Sequence, residues 1–408
     1  MLRLLIENIL DREEMTMTEW IECRISDIGT VVGGATPSTK KIENYIGGEI
    51  AWITPKDLSL FSGRYIERGE RNITETGLKS CSTQLLPKNA VLFSSRAPIG
   101  YVAIAANELC TNQGFKSVIP NENTDPLFLF YLLKYNKEII ERMGSGTTFK
   151  EVSGKTMKNI IVKVPTNKKV QEKISSILGV IDDKIEKNQE INNNLEQQAK
   201  AIFSNEFLTL ETLPDGWKQA SLIDIADYLN GLAMQKYRPT ADETGIPVLK
   251  IKELRQGCCD NNSELCSSSI KSEYIIHDGD VIFSWSGSLI VDFWCGGVCG
   301  LNQHLFKVTS KNYDKWFYYA WTKHHLDRFI AVAADKATTM GHIKRDELAK
   351  AEVLIPNEAD YNRIGTLLQP IYDLIIANRI ENKRLAETRD ILLPRLMSGE
   401  LDVSKIKI

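Results

Sequence analysis

The 408-residue chain holds no run of about 18 apolar residues, so no segment reads as a membrane span. Leu4 to Leu10 is interrupted by Glu7 and Asn8, too short and too polar for a signal-peptide core. Neither charge dominates: 50 Lys+Arg stand against 53 Asp+Glu, a net charge of -3. A strongly basic chain would point to a nucleic-acid partner by charge alone; here such contacts would need a local basic face. None of the eight Cys forms a C-x2-C pair, the spacing that marks zinc ribbons. Cys258, Cys259, Cys266, Cys295 and Cys299 of the second half leave a metal site open, beside the reading as reduced thiols of a cytoplasmic protein.

Motifs of catalysis are also missing. There is no G-x4-G-K-[ST] phosphate loop, and Gly144 to Lys150 (G-S-G-T-T-F-K) has the wrong spacing. No G-x-G-x-x-G follows a strand pattern, and no N-P-P-Y or D-P-P-Y methyltransferase motif occurs. Asp182/Lys184 and Glu381/Lys383 are carboxylate-x-Lys pairs, but both lie in helical segments rather than at a cleft where they would hold magnesium. All five His fall between His277 and His342. If the two halves do equivalent work, imidazole acid–base chemistry cannot be essential to it.

What the chain does contain is a second copy of itself. W-I-E-C-R-I-S-D-I-G from Trp20 and W-K-Q-A-S-L-I-D-I-A from Trp217 lie 197 residues apart. P-K-N-A-V-L-F-S-S from Pro87 resembles H-D-G-D-V-I-F-S-W from His277, and Asn112-Gln113 matches Asn302-Gln303, both at 190. Thr147-Thr148 matches Thr338-Thr339, and Val164-Pro165 matches Ile355-Pro356, at 191. Ordered matches at this spacing describe a tandem of two large units, not a solenoid. Residues 1–214 carry 26 basic and 27 acidic side chains, so neither half is a charged tail.

Each unit reads in two parts. The first has short buried strands, Ala51–Thr54 and Val91–Ser94, then Val248–Ile251 and Val281–Ser284. A helix follows, capped by Thr124 or Asp125 before Pro126, with Phe128, Tyr131, Leu132, Tyr135, Ile139 and Met143 at helical spacing; the copy starts at Asp314. The second part is a long heptad helix. Ile174, Ile181, Asn188, Leu195 and Ile202 recur every seven residues, with Leu178, Ile185, Asn192 and Ala199 as partners. Ile364, Ile371, Asn378, Leu385 and Leu392, with Leu368, Ile375, Asn382 and Arg389, repeat this. Asn188, Asn192, Asn378 and Asn382 sit where the seam should be apolar, the placement that fixes helix register at a cost in stability.

Polar segments recur at matching places in the two units. Ser94, Ser95, Arg96, Asn112, Gln113, Thr147, Thr148, Lys150 and Lys155 stand in the first. Ser284, Trp285, Ser286, Asn302, Gln303, His304, Thr338, Thr339, His342, Lys344 and Arg345 stand in the second. Amides read adenine edges, Arg and Lys read guanine, and hydroxyls and basic chains hold phosphates. The same Asn-Gln and Thr-Thr pairs also suit turns and caps. Two function classes remain: a DNA reader, and a non-enzymatic coiled-coil scaffold or adaptor without DNA recognition.

The chain resembles the specificity subunits of type I restriction–modification systems. The resemblance rests on M-T-E-W-I-E-C-R-I-S-D-I-G from Met17, A-V-L-F-S-S-R-A-P-I-G from Ala90 and T-N-Q-G-F from Thr111. It continues through D-V-I-F-S-W-S-G-S from Asp280, L-N-Q-H-L from Leu301, T-T-M-G-H-I-K-R-D-E-L from Thr338 and L-L-P-R-L-M-S-G-E-L from Leu392. It implies an α+β chain: two tandem mixed α/β target-recognition domains separated by two long helices in an antiparallel coiled coil, with a pseudo-twofold internal repeat. The expected divisions are an N-terminal extension (1–16), recognition domain one (17–167), a central helical region (168–208), recognition domain two (209–357) and a C-terminal helical region (358–408). It implies double-stranded DNA with a bipartite target, two methyltransferase subunits docked on the helices, and restriction/translocation subunits. S-adenosylmethionine, ATP and Mg would belong to those partners; this chain would bind no cofactor and do no catalysis itself. Phe203, Phe207, Leu396 and Met397 are candidates for subunit docking or for packing within the chain. Leu2, Leu5, Ile6, Ile9 and Leu10 fit a short amphipathic helix, or an extension ahead of a start at Met15 or Met17.

Overall fold

A computed structural model describes residues 19–59, 61–96, 98–146, 150–335 and 345–403. The reading of residues 1–16 falls outside them. The chain forms two compact units, one made of residues up to Glu186 together with those from Leu385 on, the other of Lys187–Arg384.

Unit 1 begins with β1 (Trp20–Arg24) and β2 (Gly29–Gly33). The repeated Asp-Ile is a cap: Asp27 Oδ2 accepts the Arg24 N–H at 2.8 Å and starts a one-turn helix between these strands. Next come β3 (Ile50–Ile53), helix α1 (Pro55–Ser59), β4 (Val91–Ser95), β5 (Ile99–Ala105), β6 (Cys110–Thr111) and β7 (Lys116–Pro120). One sheet has the order β2-β7-β4-β5, with Tyr65–Ile66 at its edge; β3 and β6 pair in parallel in a second sheet. Helix α2 (Pro126–Tyr135) is capped by the Asp125 carboxylate, which accepts the Phe128 N–H at 2.6 Å. The expected run through Met143 is broken at Asn136, whose side chain donates to Leu132 O, and Ile139 and Met143 are exposed. Strand β8 (Ile161–Pro165) pairs antiparallel with β1 and leads into α3 (Lys168–Phe203), 36 residues long. Phe93, Phe128, Tyr131, Ile174, Ile181, Leu392 and Leu396 share one core.

Unit 2 repeats the plan. It contains β9 (Lys218–Ser221), β10 (Asp227–Asn230), β11 (Ile246–Leu249), helix α4 (Ile251–Gln256), β12 (Val281–Ser284), β13 (Ile290–Phe293), β14 (Cys299–Leu301) and β15 (Leu305–Thr309). Asp224 caps here as Asp27 does in unit 1, accepting the Ser221 N–H at 2.8 Å. One four-stranded sheet runs β10-β15-β12-β13, and β11 and β14 pair in parallel in a second. Helix α5 (Lys315–His324) packs its aromatic faces inward, and β16 (Glu352–Ile355) closes on β9 before α6 (Glu358–Met397). Phe203 and Phe207 are buried against Trp217, Phe317 and Trp321, and Leu396 and Met397 are buried in the unit 1 core. All four serve internal packing rather than an outer face.

In unit 1, Arg389 Nη1 donates to Asp182 at 2.8 Å, and Ile174, Leu178 and Ile181 share a core with Leu385 and Leu392. In unit 2, Asn188 Nδ2 donates to Asn382 Oδ1 at 2.8 Å and Asn378 Nδ2 to Asn192 Oδ1 at 2.9 Å. Further along, Arg363 Nη2 meets Glu206 at 2.7 Å, so the partners run in opposite directions there. All eight Cys are free thiols, and among the described residues no group of three or more His, Cys, Asp or Glu gathers for a metal.

Candidate nucleic-acid interface

In unit 1 the polar segments meet where the parallel strands β3 and β6 end. The Thr54 N–H and hydroxyl both donate to Asp57 Oδ2, at 2.7 and 2.6 Å, and start α1. Lys56 on that turn is exposed and reaches Glu70 at 2.7 Å. The Asn112 N–H donates to Ile53 O at 3.0 Å, while its side-chain oxygen accepts the Gly114 N–H at 2.8 Å. This turn leaves Gln113 outward, where the Thr36 hydroxyl bonds its amide oxygen. Gly34 is required here: a Cβ would lie 2.2 Å from the carbonyl oxygens of Thr111 and Asn112. The Ser95 N–H donates to Gly114 O at 2.7 Å, and Lys116 and Arg96 both face Glu151, at 3.3 and 4.0 Å.

Unit 2 builds the same place with other side chains. The Lys250 N–H donates to Glu253 Oε2 at 3.3 Å and starts α4; Lys252 follows on its first turn, facing Asp260 at 3.4 Å. The Asn302 N–H donates to Leu249 O at 3.2 Å, and its side chain accepts from His304 N at 3.3 Å. Gly231 repeats Gly34, with a Cβ position 2.2 Å from Asn302 O. Trp285 lies 6.0 Å from the His304 ring and donates to Asn230 Oδ1 at 3.0 Å, while the Ser286 hydroxyl pairs with His304 Nδ1 at 3.1 Å. Lys250, hydrogen-bonded to it, and Arg238 hold the Glu264 carboxyl below its ordinary range. A groove of about 540 Å³ runs here between Gln235, Arg238, Lys250, Lys252, Gln303 and His304.

Several expected contact residues are internal. Ser94, Ser95, Ser284, Ser286 and Asn302 are buried. Ser94 Oγ donates to Pro98 O and Ser284 Oγ to Ser288 O, each at 2.8 Å, so these two hydroxyls pin the loops beyond β4 and β12. A strand covered on both faces leaves its serines no route to a ligand. Arg96, Gln113, Trp285, Gln303 and His304 stand at the cluster with their side chains at least partly exposed. Lys155 is exposed one residue past Gly154, whose Cβ position is 4.0 Å from the Lys116 side chain. Lys150 and Arg345 are exposed, and Arg345 donates to Tyr228 O at 3.3 Å. Thr147, Thr148, Thr338, Thr339, His342 and Lys344 lie outside the described residues. Lys56, Lys252, Arg238 and Gln235 were not anticipated. P-K-D-L at Pro55 and I-K-E-L at Ile251, 196 residues apart, were the signal for the two lysines.

The family model described as "Type I restriction modification DNA specificity domain" matches twice, over residues 17–197 and 214–387. The chain belongs to the type I restriction–modification specificity subunits. As such it has two DNA specificity domains and supplies specificity rather than catalysis. It is 34% identical to the type I restriction enzyme MjaIX specificity subunit of Methanocaldococcus jannaschii, over 95% of each chain. It is 20% identical to the HindI specificity subunit of Haemophilus influenzae, over 94% of this chain and all of that one. A crystal structure of the type I S subunit from M. genitalium aligns with TM-score 0.59 at 14% identity, over 95% of this specificity subunit and 98% of that chain, a likeness of fold. No helix among its described residues is long and apolar enough to cross a membrane.

Proposed function

We propose that each unit of this specificity subunit reads one half of a bipartite double-stranded DNA target through the loop cluster at the end of its parallel strand pair. One observation carries the reading. The clusters share backbone devices, Gly34 and Gly231, Asn112 and Asn302, yet present different side chains: Arg96 in one against Trp285 and His304 in the other, Thr36 against Ala233. Common scaffolding with divergent donors suits two readers of unlike sequences. Residues 17–167 and 209–357 are the two readers. The helical regions 168–208 and 358–408 separate them, and two methyltransferase subunits dock on those regions. Asn188, Asn192, Asn378 and Asn382 set the helix register. Restriction/translocation subunits complete the complex, with S-adenosylmethionine, ATP and Mg on the partner subunits, in the cytoplasm.

The test is co-expression with the cognate methyltransferase and genome-wide mapping of methylated adenines. A bipartite motif that appears only with this chain supports the reading; an active complex without one ends it. Exchanging residues 18–167 for those of a relative changes one half of the motif, and a change in both halves contradicts independent readers.

A further inference from the structure

Topological equivalence between the units separates side chains with a shared task from those with a private one. Lys56 and Lys252 occupy the same turn of α1 and α4, each three residues past a parallel strand and two past the residue whose N–H is capped, Thr54 or Lys250. Both are exposed, and among the described residues each pairs with a surface carboxylate, Glu70 or Asp260, that solvent or a phosphate can displace. One turn on, the units diverge. Unit 2 has Arg255 where unit 1 has Ser59, and Ser288 where unit 1 has Pro98.

Arg255 and Ser288 form a built pair. Arg255 Nη2 donates to Ser288 Oγ at 2.6 Å, and the buried Ser284 hydroxyl fixes the Ser288 backbone. Among the described residues the exposed Arg255 guanidinium has no carboxylate within ion-pair distance, whereas Arg238, Arg363 and Arg379 each grip one. Its neutral partner aims the planar fork without neutralising it. Lys252, Arg255, Gln256 and Ser288 line a groove of about 430 Å³, which shares Ile251 and Lys252 with the one around Gln303. Gly257 ends α4 in the left-handed conformation at φ 76° with open space around it, so the Arg255 end of the helix is unobstructed.

We propose that Arg255 reads a guanine in the half-site of unit 2, while Lys252, like Lys56 in unit 1, holds the adjacent DNA backbone. A guanidinium fork matches the O6/N7 edge of guanine, and a lone ammonium suits a phosphate of any sequence. This rests on the reading of both units as half-site readers.

The experiment uses the methyltransferase complex carrying wild-type chain, R255A, R255K or K252A, with methylation mapping and binding to a duplex of the mapped motif. R255A relaxes a guanine position in one half of the motif, with discrimination falling on the order of tenfold to a hundredfold, and leaves the other half intact. R255K keeps the charge but not the fork and relaxes the same position. K252A keeps the motif, weakens binding evenly across sequences, and lowers the salt-dependence slope by about one. An R255A or R255K complex with wild-type discrimination, or relaxation in both halves, overturns the assignment while the bipartite reading stands. A wild-type complex with no bipartite motif overturns both.

Discussion

Asp182 binds two donors at once, the Tyr131 hydroxyl at 2.6 Å and Arg389 at 2.8 Å, and is only 5% exposed. Burial and the neighbouring carboxylate push the Tyr131 phenol far above its ordinary range, so it stays a donor. Asp182→Ala leaves the buried Tyr131 phenol without its acceptor and Arg389 paired with the exposed Asp390 alone, and destabilises by about 1–3 kcal/mol, seen as a lowered melting temperature. The triple variant Tyr131→Phe, Asp182→Leu, Arg389→Met recovers most of that loss, because the penalty comes from buried polar groups left short of partners rather than from a lost attraction. His325 gives a pH dependence. Burial pushes its imidazole down to about 4, and Nε2 sits 2.7 Å from Glu352 O. The unfolded chain takes up this proton near 6.5, the folded one only near 4, so unfolding gains as pH falls through that window. Melting followed from pH 7 to 4 shows this loss, and His325→Gln flattens it; an unchanged slope would assign it elsewhere. At this scale the sequence was least readable. Ser94 and Ser95 looked like a polar loop, but β4 has Leu92 in one core and Phe93 in another, so both faces are covered. Period-two patterning reports which face is apolar and fails when both are.

Long elements were legible because a period sustained over many turns has few explanations. The heptads of α3 and α6 gave the helices, and the four Asn were recognisable as breaks in an apolar seam. Short apolar runs were not: α2 stops at Asn136, whose side-chain amide shares the Leu132 carbonyl with its own backbone N–H. The Asn layer in unit 2 is close to saturated. Asn378 donates to Asn192, and Asn192 donates to Ile375 O at 3.3 Å, while the buried Asn188 Oδ1 has no partner among the described residues. Asn192→Leu therefore costs about 1–3 kcal/mol by leaving Asn378 unpaired, and Leu at both positions regains it. Denaturant midpoints of the single and double variants check this. With all four Asn replaced, cysteine pairs placed for the native register cross-link less selectively; unchanged selectivity would remove the register role.

The duplication was the most readable property of the whole molecule, since matched motifs at nearly one spacing need no structural context. How the chain divides was not readable, because the heptads on both sides of Glu186 and Leu385 look alike. Unit 1 recruits Leu385, Leu392, Leu396, Met397 and Val403 into its core. A chain ending at Arg384 therefore loosens unit 1 and spares unit 2. Amide hydrogen exchange would quicken over Phe128–Leu133 and Ile174–Ile181 and stay slow over Val281–Ser284; equal protection in both would reject this. The same recruitment has a consequence in time. On the ribosome the residues of unit 2 are all made before the segment from Leu385 emerges, so the domain synthesised first is the one finished last. Until then the core that holds Ile174, Leu178 and Ile181 lacks its last five side chains on the nascent chain.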